Sequence, residues 1–76
     1  MVDAFVMIET EAGAVERSLA AIRELEAVTE AHVVAGAYDI IAETTGGEVY
    51  EVLDASSSSI QGTDGVTDTT TYIAMD

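Results

Sequence analysis

The stretch HVVAGAYDII, His32 to Ile41, sets Asp39 directly before Ile40-Ile41, with Gly36 three residues earlier. A single carboxylate between two apolar runs has two readings. Either it closes or caps a turn, or it faces something that must be held there. Other chemistry-bearing residues are sparse. His32 is the only histidine, with no second histidine to share a metal and no Ser or Cys nucleophile pattern beside it, so it reads as a structural or surface residue. Gly46-Gly47 precedes a helical pattern without a lysine, which argues against a phosphate-binding loop. The carboxylates form no DxDxDG-type calcium loop. The threonine run Thr69 to Thr71 is, by itself, ordinary strand chemistry. No catalytic residue, metal or cofactor is expected.

Composition narrows the partners. Fifteen acids face two basic residues, for a net charge of −13 over 76 residues. Phosphate contacts need Lys or Arg, so nucleic-acid binding is disfavoured, as are anionic membrane surfaces. No apolar run reaches the ~20 residues of a membrane helix, and no signal peptide is visible. The expectation is a soluble, cytoplasmic protein without direct nucleic-acid or membrane partners. Strong acidity often accompanies disorder, but 49 % of the residues are hydrophobic and mean hydropathy is +0.28, enough for a core. An acidic surface of this kind suits a salt-rich cytoplasm, because carboxylate repulsion is screened within about 3 Å at ~1 M salt. We favour that halophilic reading over an ordinary acidic domain.

These residues need a scaffold, and a chain this short makes one domain, 1–76. Without cysteine there is no disulfide or thiolate metal site to staple it. Val2 to Glu9 alternates as a strand, with Val2, Ala4, Val6 and Ile8 on one face and Phe5 and Met7 on the other. Glu11 to Glu26 reads as a helix with Val15, Leu19 and Ile22 on its stripe, Thr10 as N-cap and Arg23 near the negative end. Val28 to Ala35 and Tyr38 to Thr44 read as strands separated only by Gly36-Ala37, a hairpin. Glu48 to Ile60 carries Val49, Val52, Leu53, Ser56 and Ile60 on one helical stripe, and Ser56 to Ser59 is read as a weak last turn. Val66 to Met75 is the final strand. Val28-Thr29-Glu30 recurs as Val66-Thr67-Asp68, half a chain later, each opening a strand after a helix. Two βαβ halves of this kind predict an α+β, ferredoxin-like βαββαβ sandwich, a four-stranded antiparallel sheet with both helices on one face.

Two helices cover only one face of a sheet. Phe5 and Met7 oppose Val6 and Ile8, and Ile40 and Ile41 point opposite ways, so the uncovered face keeps large apolar groups. Such a patch marks an interaction surface. The expected remedy is a homodimer packed sheet to sheet, with Phe5, Met7, Ile40 and Ile41 as its contact residues.

With this topology, three stretches resemble the effector-binding (RAM) module of the Lrp/AsnC transcription regulators: VAGAYDII at Val34–Ile41, GTDGV at Gly62–Val66 and TTTYI at Thr69–Ile73. The resemblance spans essentially the whole chain. It implies dimers that assemble further into rings, and an amino-acid effector bound where dimers meet. Carried over by position, Gly36, Tyr38 and Asp39 would form the turn that approaches the ligand, and Thr69, Thr71 and Tyr72 would add contacts from the last strand. Asp39 would pair with an α-ammonium group. The family's DNA-binding helix-turn-helix does not precede Met1, so the resemblance is to a stand-alone module that would modulate full-length regulators without touching DNA. Two other classes remain beside it: an assembly module without a ligand, and a small dimeric ferredoxin-like enzyme. The enzyme is the weaker, since the chain has no Asn or Trp and both arginines lie on the first helix.

Overall fold

The computed structural model describes all residues, Met1–Asp76. Strand β1 (Val2–Thr10) is followed by helix α1 (Val15–Arg23), β2 (Val28–Val33), β3 (Ile40–Gly46), helix α2 (Val49–Asp54), a π-helical turn that continues α2 (Ala55–Ile60), and β4 (Val66–Ile73). The strands lie in the order β2-β3-β1-β4, and every neighbouring pair is antiparallel. This is the expected ferredoxin-like sandwich. The two triplets Val28-Thr29-Glu30 and Val66-Thr67-Asp68 do open β2 and β4.

The core follows from period-two alternation. Ala4, Val6 and Ile8 of β1 are fully buried. The β1–β3 register sets Ile40 opposite Ile8 and Ala42 opposite Val6. Ile22 of α1 and Ile60 of the π turn close over them, with Ala31 of β2. Each buried Val or Ile contributes about 1.5–3 kcal/mol. Ile40 is therefore a core residue with no exposure, not part of the uncovered face where we expected it. Its strand position pairs it with Ile8 beneath the helices.

Three local expectations fail, each for a tertiary reason. Thr10 does not cap α1. It stays in β1, paired with Val66 of β4, and the next backbone N–H, of Glu11, donates to the Gly65 carbonyl at 2.9 Å. The helix starts only at Val15, after Ala14, with no side-chain cap. The β2–β3 connection is six residues, 34 to 39, not a two-residue turn. Primed hairpin turns need positive φ, and only Gly13 and Gly65 have it; instead Val34 N–H donates to the Asp39 carbonyl at 2.9 Å. The second helix is not α-helical to Ile60. Ser57 Oγ donates to the Leu53 carbonyl and Ser58 Oγ to Asp54 Oδ1, bonds that compete with regular helix, and Gln61 N–H reaches back five residues to Ser56 O at 3.2 Å. Val52, Ser56 and Ile60 face inward as expected, but Val49 and Leu53 are half exposed.

Candidate functional site

The helices cover one face of the sheet and leave the other open. On that open face the registers place Met7 between Ile41 of β3 and Thr70 of β4, and Phe5 between Glu43 and Tyr72. His32 lies beside Ile41 and Glu30 beside Glu43. Phe5 is 38 % and Tyr72 60 % exposed. The result is an apolar centre of Phe5, Met7, Ile41 and Tyr72 flanked by carboxylates. His32 is paired only with Glu30, at 3.2 Å in an exposed setting. Both arginines belong to α1: Arg17 binds Asp64 and Glu11, and Arg23 donates to the Ala31 carbonyl.

The six residues singled out for ligand contact fall into three places. Gly36 is exposed on the 34–39 loop, and a Cβ there would meet nothing within 4 Å. Its backbone is open to approach. Asp39, at the loop's end, is half buried. Its Oδ2 accepts from the Thr10 N–H at 2.9 Å and the Thr10 hydroxyl at 3.3 Å, while its own N–H donates to the Ile8 carbonyl at 2.9 Å. The carboxylate thus braces β1 where its pairing with β4 shifts register between Glu9 and Thr10. Both side-chain contacts use one oxygen; no bond is made by Oδ1.

Tyr38 reaches from the loop onto the open face, where its hydroxyl meets Thr70 Oγ1 at 2.9 Å. Tyr72 shares that face. Thr69 and Thr71 do not. They pair with Ile8 and Val6 on the helix side, where Gln61 Nε2 reaches Thr69 Oγ1 at 2.8 Å and Ser56 shares a hydroxyl–hydroxyl bond with Thr71. The structure therefore joins Tyr38, Thr70 and Tyr72 on one side, Thr69 and Thr71 on the other, and Gly36 with Asp39 at the rim. Sequence reasoning missed Thr10 and Thr70 as partners. The signal for Thr70 was present, since period-two alternation sets residues 70 and 72 on one face and 69 and 71 on the reverse. No signal pointed from Asp39 to Thr10, 29 residues away.

No group of three or more His, Cys, Asp or Glu side chains is arranged to hold a metal ion, and no helix is long and apolar enough to cross a membrane.

The Lrp/AsnC ligand binding domain family matches residues 3–76. Among solved structures, TTHA0845 from Thermus thermophilus is 34 % identical, with a TM-score of 0.94, covering 100 % of this chain and 95 % of its own. AsnC of E. coli is 25 % identical with a TM-score of 0.90, over 99 % of this chain and 51 % of AsnC, so the 76 residues span about half of that regulator. The transcriptional regulator NMB0573 of Neisseria meningitidis, in complex with L-Met, has a TM-score of 0.84 over 99 % of this chain and 50 % of its own, and at 14 % identity shares the fold alone. No curated protein sequence matches the chain.

Proposed function

Because the chain belongs to the Lrp/AsnC ligand binding domain family, we propose that it is a regulatory module, not an enzyme, which binds an amino-acid effector and reports it through the assembly of its own copies. The observation that carries this reading is the open sheet face. Phe5, Met7, Ile41 and Tyr72 form an apolar centre that the two helices leave uncovered. Patches of this kind mark interaction sites, and a second copy of the same face is self-complementary about a two-fold axis. The homodimer packs through it, and dimers join into higher rings.

The effector site is the 34–39 loop at the rim of this face. Gly36 exposes backbone, and Asp39 keeps Oδ1 for an ammonium group while Oδ2 braces Thr10. Tyr38 lines the same rim from the open face, fixed by Thr70, with Tyr72 two residues further along β4 beside Phe5. Thr69 and Thr71 face the helix layer, bonded to Gln61 and Ser56, and are left out of this site. An amino acid complexed with a fold-mate fits this chemistry. A ligand at a contact between dimers stabilises whichever assembly forms the site. Mixed rings with full-length Lrp/AsnC-type regulators would carry the signal to DNA-bound partners, the module itself making no DNA contact. The acid excess suits a halophilic, salt-rich cytoplasm.

A second reading is favoured by one observation: Asp39 is already engaged with Thr10, so the module would assemble without an effector. Calorimetry with a panel of amino acids in molar salt, alongside light scattering, separates the two. At least one amino acid binds and shifts the assembly size in the proposed function. Asp39→Asn keeps an acceptor for Thr10 and removes the charge, so it weakens that binding at least about tenfold with little loss of stability. Heat-silent titrations across the panel, or an unchanged affinity in Asp39→Asn, would reject the effector site.

A further inference from the structure

The 34–39 loop is held at its ends and loose in between. Val34 N–H donates to the Asp39 carbonyl and Asp39 N–H to the Ile8 carbonyl, each at 2.9 Å, while Asp39 Oδ2 accepts from Thr10. Ala35, Gly36 and Ala37 are exposed and make no hydrogen bond. Between those ends a single bond fastens the loop to the sheet: the Tyr38 hydroxyl meets Thr70 Oγ1 at 2.9 Å, part-buried, between residues 32 apart in sequence. Thr70 pairs with Met7, which pairs in turn with Ile41, so this bond ends beside the apolar centre of the open face. We propose that Thr70 is a positioning residue, whose bond to Tyr38 couples the position of the 34–39 loop to the pairing of two open faces. This rests on the effector loop and the face-to-face dimer proposed above, and supplies the link between them.

The sign follows from the chemistry of the two hydroxyls. Each is both a donor and an acceptor. Bonded to one another, they can be covered by an apolar partner surface without leaving a polar group bare. When the loop is displaced, Tyr38 leaves, and Thr70 presents an unpaired hydroxyl to a contact that excludes water. A buried hydroxyl without a partner costs its full desolvation. The loop position seen here therefore favours pairing, and a displaced loop opposes it. An effector that holds the loop in place strengthens the dimer, and the dimer strengthens effector binding by the same factor, because coupling is reciprocal. Asp39 does not supply this link, since its bonds go to Thr10 and to the Ile8 backbone.

A double-mutant cycle tests the coupling. Sedimentation equilibrium in molar salt gives the dimer affinity of the parent, Tyr38→Phe, Thr70→Val and the double variant. Each single variant leaves one hydroxyl bare and should weaken pairing at least about fivefold. The double variant removes both hydroxyls and keeps the shapes, so its affinity should return to within about threefold of the parent's. The measurement is then repeated with an equimolar mixture of the common L-amino acids, whose binding is followed by calorimetry. The mixture should strengthen the parent dimer at least about fivefold. It should bind the double variant without strengthening that dimer.

Single variants that pair as tightly as the parent, or losses that simply add in the double variant, would overturn the proposal. So would a double variant whose dimer still responds as the parent's does. Loss of the binding heat in the double variant would overturn it too, because the tyrosine hydroxyl would then serve the effector itself. A parent dimer indifferent to the mixture rejects the effector loop instead, and the cycle alone then decides whether Thr70 ties loop to face. A parent that is monomeric throughout rejects the dimer, and the coupling with it.

Discussion

Gly65 shows how much a single residue can decide. Its φ is +92°, and a Cβ there would meet Ser18 Oγ at 2.5 Å and Ala14 Cβ at 2.7 Å. Both neighbours belong to the start of α1, where the Ser18 hydroxyl donates to the Asp64 carbonyl at 2.8 Å. The glycine lets the chain leaving the second helix press against the first. Gly65→Ala combines about 1 kcal/mol of left-handed backbone strain with about 1–3 kcal/mol of overpacking. For a domain whose whole stability is on the order of 4–11 kcal/mol, that is a large share. Urea unfolding of the variant in molar salt should give a midpoint well below that of the parent, with an unchanged slope. A midpoint equal to the parent's would mean that the close approach between Gly65 and α1 does not exist. The Arg17–Asp64 pair beside it is exposed and adds little, so Arg17→Ala would be a poor probe of the same contact.

At the level of elements, the second helix carries the sharpest contrast. A single α-helical stripe ranks Leu53 and Ile60 alike. The π-helical turn separates them: Ile60 is fully buried, while Leu53 is 44 % exposed. Ile60→Ala should therefore cost about 2–5 kcal/mol and Leu53→Ala less than about 1 kcal/mol, read as shifts of the denaturant midpoint. The reverse order would show the helix to be regular to its end. This contrast also marks what the sequence makes legible. The alternation of Val2 to Glu9 and the β-branched run of β4 determine strand, face and order, because period two needs no distant information. Val52, Ser56 and Ile60 are readable as an inward stripe for the same local reason. The geometry of the serine run is not, because side-chain hydrogen bonds to Leu53 and Asp54 decide it. Nor is the start of α1, which waits on Thr10 being held in β1 by Asp39 and β4. Of the candidate site, Tyr38, Asp39 and Tyr72 do lie near the open face or its rim. Motif order groups Thr69 and Thr71 with them, where strand alternation points elsewhere. Ile40, similarly, is separable from Ile41 only once β3 has a register against β1.

The whole molecule is a slab of 34 × 21 × 17 Å with an apolar centre on one broad face and carboxylates nearly everywhere else. Pairing two such faces sets two forces against each other. Burying Phe5, Met7, Ile41 and Tyr72 favours the dimer at about 25 cal/mol per Å² of apolar surface removed from water. Bringing together two chains of −13 makes a particle of −26 and opposes it. The first term changes little with sodium chloride, while the second is screened as the Debye length falls from ~10 Å at 0.1 M to ~3 Å at 1 M. Glu43 sharpens the balance, since its strand position beside Phe5 brings a carboxylate to the edge of the contact, with His32 the only basic side chain on that face. Sedimentation equilibrium across this range should show dimerisation strengthening at least about tenfold, equivalent to ~1.4 kcal/mol. Phe5→Glu places a carboxylate at the centre of the proposed dimer contact. Phe5 is outside the core cluster, so the variant should fold and remain monomeric at every salt concentration. A dimer of Phe5→Glu as tight as the parent's would move the contact to another face. A parent dimer that weakens with salt would mean that ion pairing, and not the apolar centre, holds the copies together.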